Sequence, residues 1–123
     1  LQYALQREMF GKPLAATQLQ QGRLAEMATK VTNGQLLALQ LGRLKDLGTM
    51  TPVQVSLAKR HNVDMACDVA REARRLLGAN GILGGWHAMR HMANLESVYT
   101  YEGTHDMHTL IVGQELTGIP AYR

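Results

Sequence analysis

By residue type and neighbours, Glu102 is the side chain of this chain best placed to do chemistry. It lies in the run Thr100-Tyr101-Glu102-Gly103-Thr104-His105-Asp106, where one helical pattern stops and another begins. A carboxylate in mid-helix usually points at water. One at a helix junction, beside a residue with no side chain, can be aimed into a cleft. Gly103 permits positive φ and lets a ligand or another backbone approach closely. Thr104 can cap the following helix through its hydroxyl. The arrangement suits a general base directed at a bound substrate. The same spacing also describes a capped helix–helix turn with an incidental glutamate, so the motif alone leaves both open.

Other reactive residues offer less. Four of the five histidines fall between residues 87 and 108. His87 and His91 are four apart, and His105 and His108 three apart with Asp106 between them. Imidazoles at such spacings can bind zinc. No Glu follows His87 in the His-Glu-x-x-His pattern and no cysteine is near, so no metal site is assigned. Polar helix positions or ligand contacts explain these histidines more simply. Cys67 is the single cysteine, which excludes an internal disulfide. It sits in an alanine-rich helical stretch and reads as a small buried apolar residue. Ser56 and Ser97 sit in no nucleophile motif. Glu96 and Asp106 are the acids nearest Glu102 in sequence. As an acid–base group Glu102 therefore needs a redox or electrophilic partner from a cofactor or from outside the chain.

The elements that must position these residues are helical. Residues 1–9 read as the last turns of a helix whose beginning is missing, stopped at Phe10-Gly11-Lys12-Pro13. A second helix runs from about Leu14 or Gln18 to Leu47. Leu24, Met27, Val31, Gly34, Ala38 and Leu41 recur there at three-and-four spacing. Gly22, Gly34 and Gly42 inside it each cost about 1 kcal/mol relative to alanine. Thr51-Pro52-Val53-Gln54 opens a third helix with a capping box and a proline at the first helical position. Gly78 stops it. Gly78 to Gly85 holds four glycines in eight residues. It can be a flexible connection or a backbone cradling a phosphate or a neighbouring subunit. It matches neither the phosphate-loop nor the dinucleotide pattern. A shorter helix spans roughly Trp86 to Tyr99, and a last one His105 to Thr117. No strand pattern of useful length occurs. The fold class is all-α, an antiparallel helical bundle.

Composition agrees. The chain has 123 residues, 46% hydrophobic and 19% charged, ordinary for one globular domain. With one Phe and one Trp, packing falls to Leu, Ala and Met, which favour helices. The net charge of +3 suits an anionic ligand such as a phosphate-bearing cofactor. The cations are scattered, giving no nucleic-acid signature. No stretch approaches the roughly 18 apolar residues of a membrane span.

Four elements in order resemble the C-terminal helical domain of the acyl-CoA dehydrogenase family. They are Arg7-Glu8-Met9-Phe10-Gly11-Lys12-Pro13-Leu14 with Gln18, Leu24-Ala25-Glu26-Met27, Leu76-Leu77-Gly78-Ala79-Asn80-Gly81, and Tyr101-Glu102-Gly103-Thr104. The resemblance covers essentially all 123 residues. Arg90 to Glu96, Thr100 to His108 and Thr117 to Tyr122 look most like glutaryl-CoA dehydrogenases. The resemblance implies that residues 1–123 form the C-terminal α-helical domain of a larger flavoprotein, with N-terminal α and middle β domains outside this chain. It implies FAD as cofactor and Glu102 as the base that removes the proton α to the thioester carbonyl, while a hydride leaves the β carbon for the flavin. The Glu102 N–H would donate to the thioester oxygen. In glutaryl-CoA dehydrogenases CO₂ is then lost to give crotonyl-CoA.

By the same resemblance, Tyr101 and Gly103 would meet substrate. Arg7, Phe10 and Gln18 would contact the FAD of a neighbouring subunit, with Arg75, Leu76, Leu77, Gly78 and Ala79 near its ADP portion. Thr104 and Asp106 would lie near the FAD of their own subunit. Ala79 stands where the family commonly has a second glycine, so a methyl group would face the cofactor. Also implied are a homotetramer, electron-transferring flavoprotein as acceptor, and a location in bacterial cytoplasm or the mitochondrial matrix. The fragment alone is expected to be inactive. Another short-chain acyl-CoA, or a non-catalytic helical oligomerisation module, are the competing readings.

Overall fold

A computed structural model describes residues 1–122. The chain opens with a short helix, α1 (Gln2–Gln6), followed by a minimal antiparallel hairpin, β1 (Glu8–Met9) and β2 (Lys12–Pro13). Glu8 pairs with Pro13 and Met9 with Lys12. This corrects the expected helix over residues 1–9. Arg7 turns extended (φ −74°, ψ 116°), and its carbonyl accepts from the Leu14 N–H at 2.7 Å. Strands of two residues are too short to show alternation in sequence. The hairpin turn needs left-handed backbone at both central residues, which Phe10 (φ 54°) and Gly11 (φ 74°) adopt.

After a 3₁₀ turn at Leu14–Ala16 the long helix α2 (Gln18–Asp46) begins. Leu24, Met27, Leu37, Leu41 and Leu44 are partly covered along one stripe, and Gly34 is buried within it. Val31 and Ala38 fall on its exposed margin. α2 packs against α3 (Pro52–Leu76). The cross-links fix an antiparallel register. Asn62 Nδ2 donates to the Gly34 carbonyl at 3.1 Å, Lys30 Nζ meets Asp68 at 3.0 Å, and Arg23 Nε meets Glu72 at 3.5 Å. A Cβ at Gly34 would run into the end of the Met65 side chain, so the missing side chain is what lets the two helices approach.

α3 begins as expected. Thr51 Oγ1 accepts from the Gln54 N–H, and Gln54 Oε1 accepts from the Thr51 N–H at 2.8 Å. It ends at Leu76, with Gly78 left-handed (φ 59°). The glycine-rich stretch then forms two tight 3₁₀ turns, Gly78–Ile82 and Gly84–Trp86, rather than a loose connection. Asn80 Nδ2 donates to the Tyr3 hydroxyl at 3.2 Å. The Tyr3 ring meets Trp86 edge-on with centroids 5.0 Å apart. The turns are thereby fastened to the chain's start. α4 (Ala88–Thr100) starts two residues later than expected, because His87 is left-handed (φ 59°) and cannot continue the preceding turn. α5 (His105–Thr117) has the expected bounds, capped by Thr104 and closed by Gly118 (φ 71°).

α3 is the hub, since α2, α4 and α5 all pack against it. The result is an all-α bundle with a thin core. Ala4, Leu14, Ala58, Leu76 and Ala88 are the buried apolar residues, while Leu36, Leu39, Leu47 and Leu116 stand exposed. Among the described residues no helix is long and apolar enough to cross a membrane.

Cys67, expected to be a small buried residue, is only half-buried. Burial, then the charges of Glu96 and Asp64, push its thiol up, and Arg71 only partly offsets them. Little thiolate forms at neutral pH, and the thiolate is the nucleophile. Alkylation of Cys67 by iodoacetamide at pH 7.5 should therefore run slower than that of an exposed thiol. Labelling as fast as glutathione's would contradict this environment.

Candidate active site

The junction between α4 and α5 is built on two successive left-handed residues. Tyr101 leaves α4 extended (φ −86°, ψ 167°). Glu102 (φ 55°) and Gly103 (φ 88°) then reverse the chain, and Thr104 enters α5. Glycine adopts this backbone freely. A glutamate in a sparsely populated region of this kind costs of the order of 1–3 kcal/mol and persists only when its surroundings over-determine it.

Those surroundings are three consecutive carbonyls, each held by a side chain from another element. Lys59 Nζ, on α3, donates to the Tyr101 carbonyl at 3.2 Å and to the Gly103 carbonyl at 2.6 Å. His108, buried on α5, faces the Glu102 carbonyl between them through Nε2 at 3.2 Å. A carbonyl only accepts, so this contact assigns the proton to Nε2. A Cβ at position 103 would lie 2.9 Å from that same Nε2. Gly103 is thus required twice, by its φ and by the imidazole packed against it. Arg60 Nε donates to Thr109 Oγ1 at 2.8 Å and ties α3 to α5 just beyond. Tyr99 stacks on His105 with centroids 4.6 Å apart. Burial, followed by Asp64 and Asp106, pushes the Tyr99 hydroxyl up, so it stays a neutral donor.

The carboxylate of Glu102 is exposed and takes part in none of the ion pairs among the described residues. Tyr101 is exposed and lines a shallow groove with Glu96, Ser97 and Thr100. Thr104 Oγ1 accepts from the Met107 N–H at 3.2 Å, which leaves its hydroxyl proton available to donate. Asp106 is exposed in the first turn of α5.

A second site lies at the other end of α3. A cleft of about 470 Å³ is lined by Arg7, Gln20 and Arg75, with Leu76, Leu77, Gly78 and Ala79 along its floor and rim. Six of the expected cofactor residues therefore meet in one place. Phe10 and Gln18 do not line it. Phe10 is 93% exposed at the hairpin tip, and Gln18 faces a separate apolar surface with Leu19 and Gly22. Arg75 also pairs with Glu72 at 2.5 Å, which orients its guanidinium. Two guanidinium groups beside a left-handed glycine fit an anionic diphosphate, since guanidinium groups bind phosphate in bidentate fashion. Ala79 is exposed while it lines this cleft. Lys59 and Arg75 are sixteen residues apart on α3, which at about 1.5 Å per residue separates the two sites by roughly 24 Å.

Lys59 and Gln20 are not singled out by the sequence, and His108 enters there only as a metal-ligand candidate, not as a support for the loop. Lys59 lies over forty residues before the loop it holds and belongs to no local motif. His108 follows the capping Thr104 by four residues, the spacing of one helical turn, which places it under the loop. That spacing was the one available signal. Among the described residues no group of three His, Cys, Asp or Glu could hold a metal ion.

A model of the acyl-CoA dehydrogenase C-terminal domain matches residues 1–117. The chain belongs to the acyl-CoA dehydrogenase family. Within that family it is 31% identical over 116 residues to an acyl-CoA dehydrogenase of Bacillus subtilis, covering 94% of this chain and 31% of that protein. Its backbone superposes on a glutaryl-CoA dehydrogenase of Mycobacterium smegmatis with a TM-score of 0.97 at 55% identity, over 99% of this chain and 32% of that one. A second glutaryl-CoA dehydrogenase structure from M. smegmatis, in complex with FADH2, matches with a TM-score of 0.97 at 49% identity, over the same 99% and 32%. The chain thus spans about a third of the length of the relatives it matches.

Proposed function

We propose that the chain is the C-terminal domain of a flavoprotein that dehydrogenates an acyl-CoA thioester between its α and β carbons, with glutaryl-CoA as substrate and Glu102 as base. One observation carries the assignment of the base. Glu102 is held left-handed at a helix junction, its backbone pinned from behind and its carboxylate unpaired by any neighbour among the described residues. The likeness to the two mycobacterial glutaryl-CoA dehydrogenases supports the choice of acyl group.

In this mechanism a carboxylate oxygen of Glu102 takes the α-proton. The Glu102 N–H donates to the thioester oxygen, where negative charge develops, and fixed donors at such a point are among the largest contributors to rate. Tyr101 and Gly103 shape the acyl groove. FAD, when bound, supplies the acceptor for the hydride leaving the β carbon. The Thr104 hydroxyl and Asp106 would hold it beside Glu102. Arg7, Arg75 and the 76–79 segment would bind the diphosphate end of another subunit's FAD, with Phe10 and Gln18 reaching it from outside the cleft. The separation of the two sites along α3 supports that division between subunits. A homotetramer, reoxidised by electron-transferring flavoprotein, completes the proposal. Loss of the substrate's distal carboxylate as CO₂ leaves its bonding electrons in the conjugated thioester, and the proton on Glu102 is then available to that carbanion.

A substrate panel on the flavin-loaded enzyme tests the acyl group. Glutaryl-CoA should bleach the flavin faster than butyryl-, isobutyryl- or isovaleryl-CoA and release one CO₂ per turnover. Preferential bleaching by an acyl-CoA without a distal carboxylate would reject glutaryl-CoA and keep the reaction.

A further inference from the structure

Lys59 has no part in the mechanism above, yet it makes two contacts to the loop that carries the base. None of the described peptide bonds is cis. In a trans peptide the C=O and N–H of one plane point in opposite directions. The Tyr101 carbonyl and the Glu102 N–H belong to one such plane. Holding the carbonyl on Lys59 therefore points the N–H away from the Lys59 ammonium and from α3, on which that residue sits. Among the described residues this N–H donates to no backbone carbonyl. A cation on the carbonyl also polarises the peptide, which makes its N–H a stronger donor.

We propose that Lys59 is a positioning residue for the dehydrogenation, one that fixes the direction of the Glu102 N–H towards the thioester oxygen by holding the Tyr101 and Gly103 carbonyls. The inference rests on the proposed function, because it needs a thioester oxygen on that side. The bond from Lys59 to the Gly103 carbonyl sets the far side of the same turn. His108 holds the middle carbonyl, and a buried imidazole on a helix cannot follow a loop that shifts. Together they leave the Glu102 peptide one orientation.

The test is Lys59→Met in the flavin-loaded holoenzyme, with Lys59→Arg as the charge-conserving control. Met keeps the aliphatic stem and removes the donor. The rate of flavin reduction should fall by about tenfold to a hundredfold, below the loss seen when an oxyanion donor is deleted outright. KM should stay within about twofold, because the N–H bond matters most once charge develops. Binding of an acyl-CoA analogue with an acidified α-proton, read from its charge-transfer band as the bound enolate, should weaken by the same factor as the rate. Binding of an unreactive acyl-CoA thioether should not change. Lys59→Arg should restore most of the enolate binding. Equal weakening of the enolate analogue and the thioether, or an unchanged rate, would overturn the inference. Should Lys59→Met not fold, Lys59→Gln is read instead: enolate affinity that falls with the rate while thioether affinity holds supports the inference, and equal weakening of both or an unchanged rate overturns it. Glu102→Gln separates the two levels. If it still reduces flavin normally, the base assignment fails. If it is inactive while Lys59→Met behaves as wild type, only the role of Lys59 fails.

Discussion

Glu102→Gln in the flavin-loaded enzyme should lower the rate of flavin reduction by acyl-CoA by about 10²–10⁴-fold, the contribution typical of a positioned acid–base group. The amide matches the carboxylate in size and keeps the backbone N–H, so substrate should still bind. What it lacks is an oxygen basic enough to take the α-proton. Its left-handed backbone needs no adjustment, since the strain at residue 102 belongs to any residue with a Cβ. The variant should therefore purify yellow, with cofactor loaded and melting temperature unchanged, and stay yellow when substrate is added. Stopped-flow absorbance of the oxidised flavin measures this directly. Normal bleaching would remove Glu102 from the reaction. Loss of flavin, in contrast, would mark Glu102 as a structural residue of the loop.

The second large effect is on stability. Gly81→Ala should destabilise the enzyme by about 1–3 kcal/mol, the usual cost of forcing a methyl group into a filled space. The added Cβ would run into the backbone carbonyl of Arg74, in the last turns of α3. A backbone atom inside a helix cannot rotate away as a side chain can. Gly42→Ala supplies the opposite case. Nothing lies within 4 Å of a Cβ there, and the position is inside α2. Replacing that glycine removes a helix penalty of about 1 kcal/mol, so stability should rise. Calorimetry on the two variants should give shifts of opposite sign. A neutral Gly81→Ala would mean that the turns after α3 can move off the helix.

These two positions show where sequence suffices and where it does not. The bounds of α3 and α5 were legible because their ends carry explicit chemistry, namely Thr51-Pro52 with Gln54 at one and Thr104 with Gly118 at the other. The hairpin at residues 8–13 was not legible, because two-residue strands have no period. The later start of α4 depends on the left-handed His87, which no local rule predicts for histidine. At the candidate site, Glu102 and Gly103 could be singled out because they are adjacent and their types are informative. Lys59 could not, because its meaning lies entirely in which carbonyls α3 brings to it. The cleft at Arg7 and Arg75 was legible only as two separate motifs. The fold joins them through the contacts of Tyr3 with Asn80 and Trp86.

The hub helix carries a consequence for how the length of this chain can drift. Lys59 and Arg75 share one uninterrupted helix, so the interval between them is a fixed number of residues rather than a distance that packing can adjust. One residue inserted between them would rotate one end against the other by about 100° and advance it about 1.5 Å. No side-chain adjustment recovers such a turn, and either the base loop or the cleft would lose its partner. The link at residues 47–51 joins α2 to α3 without touching either site, and loop closure responds only weakly to added length. Insertions and deletions compatible with both sites therefore belong in that link, and the span from Lys59 to Arg75 is held to a single length.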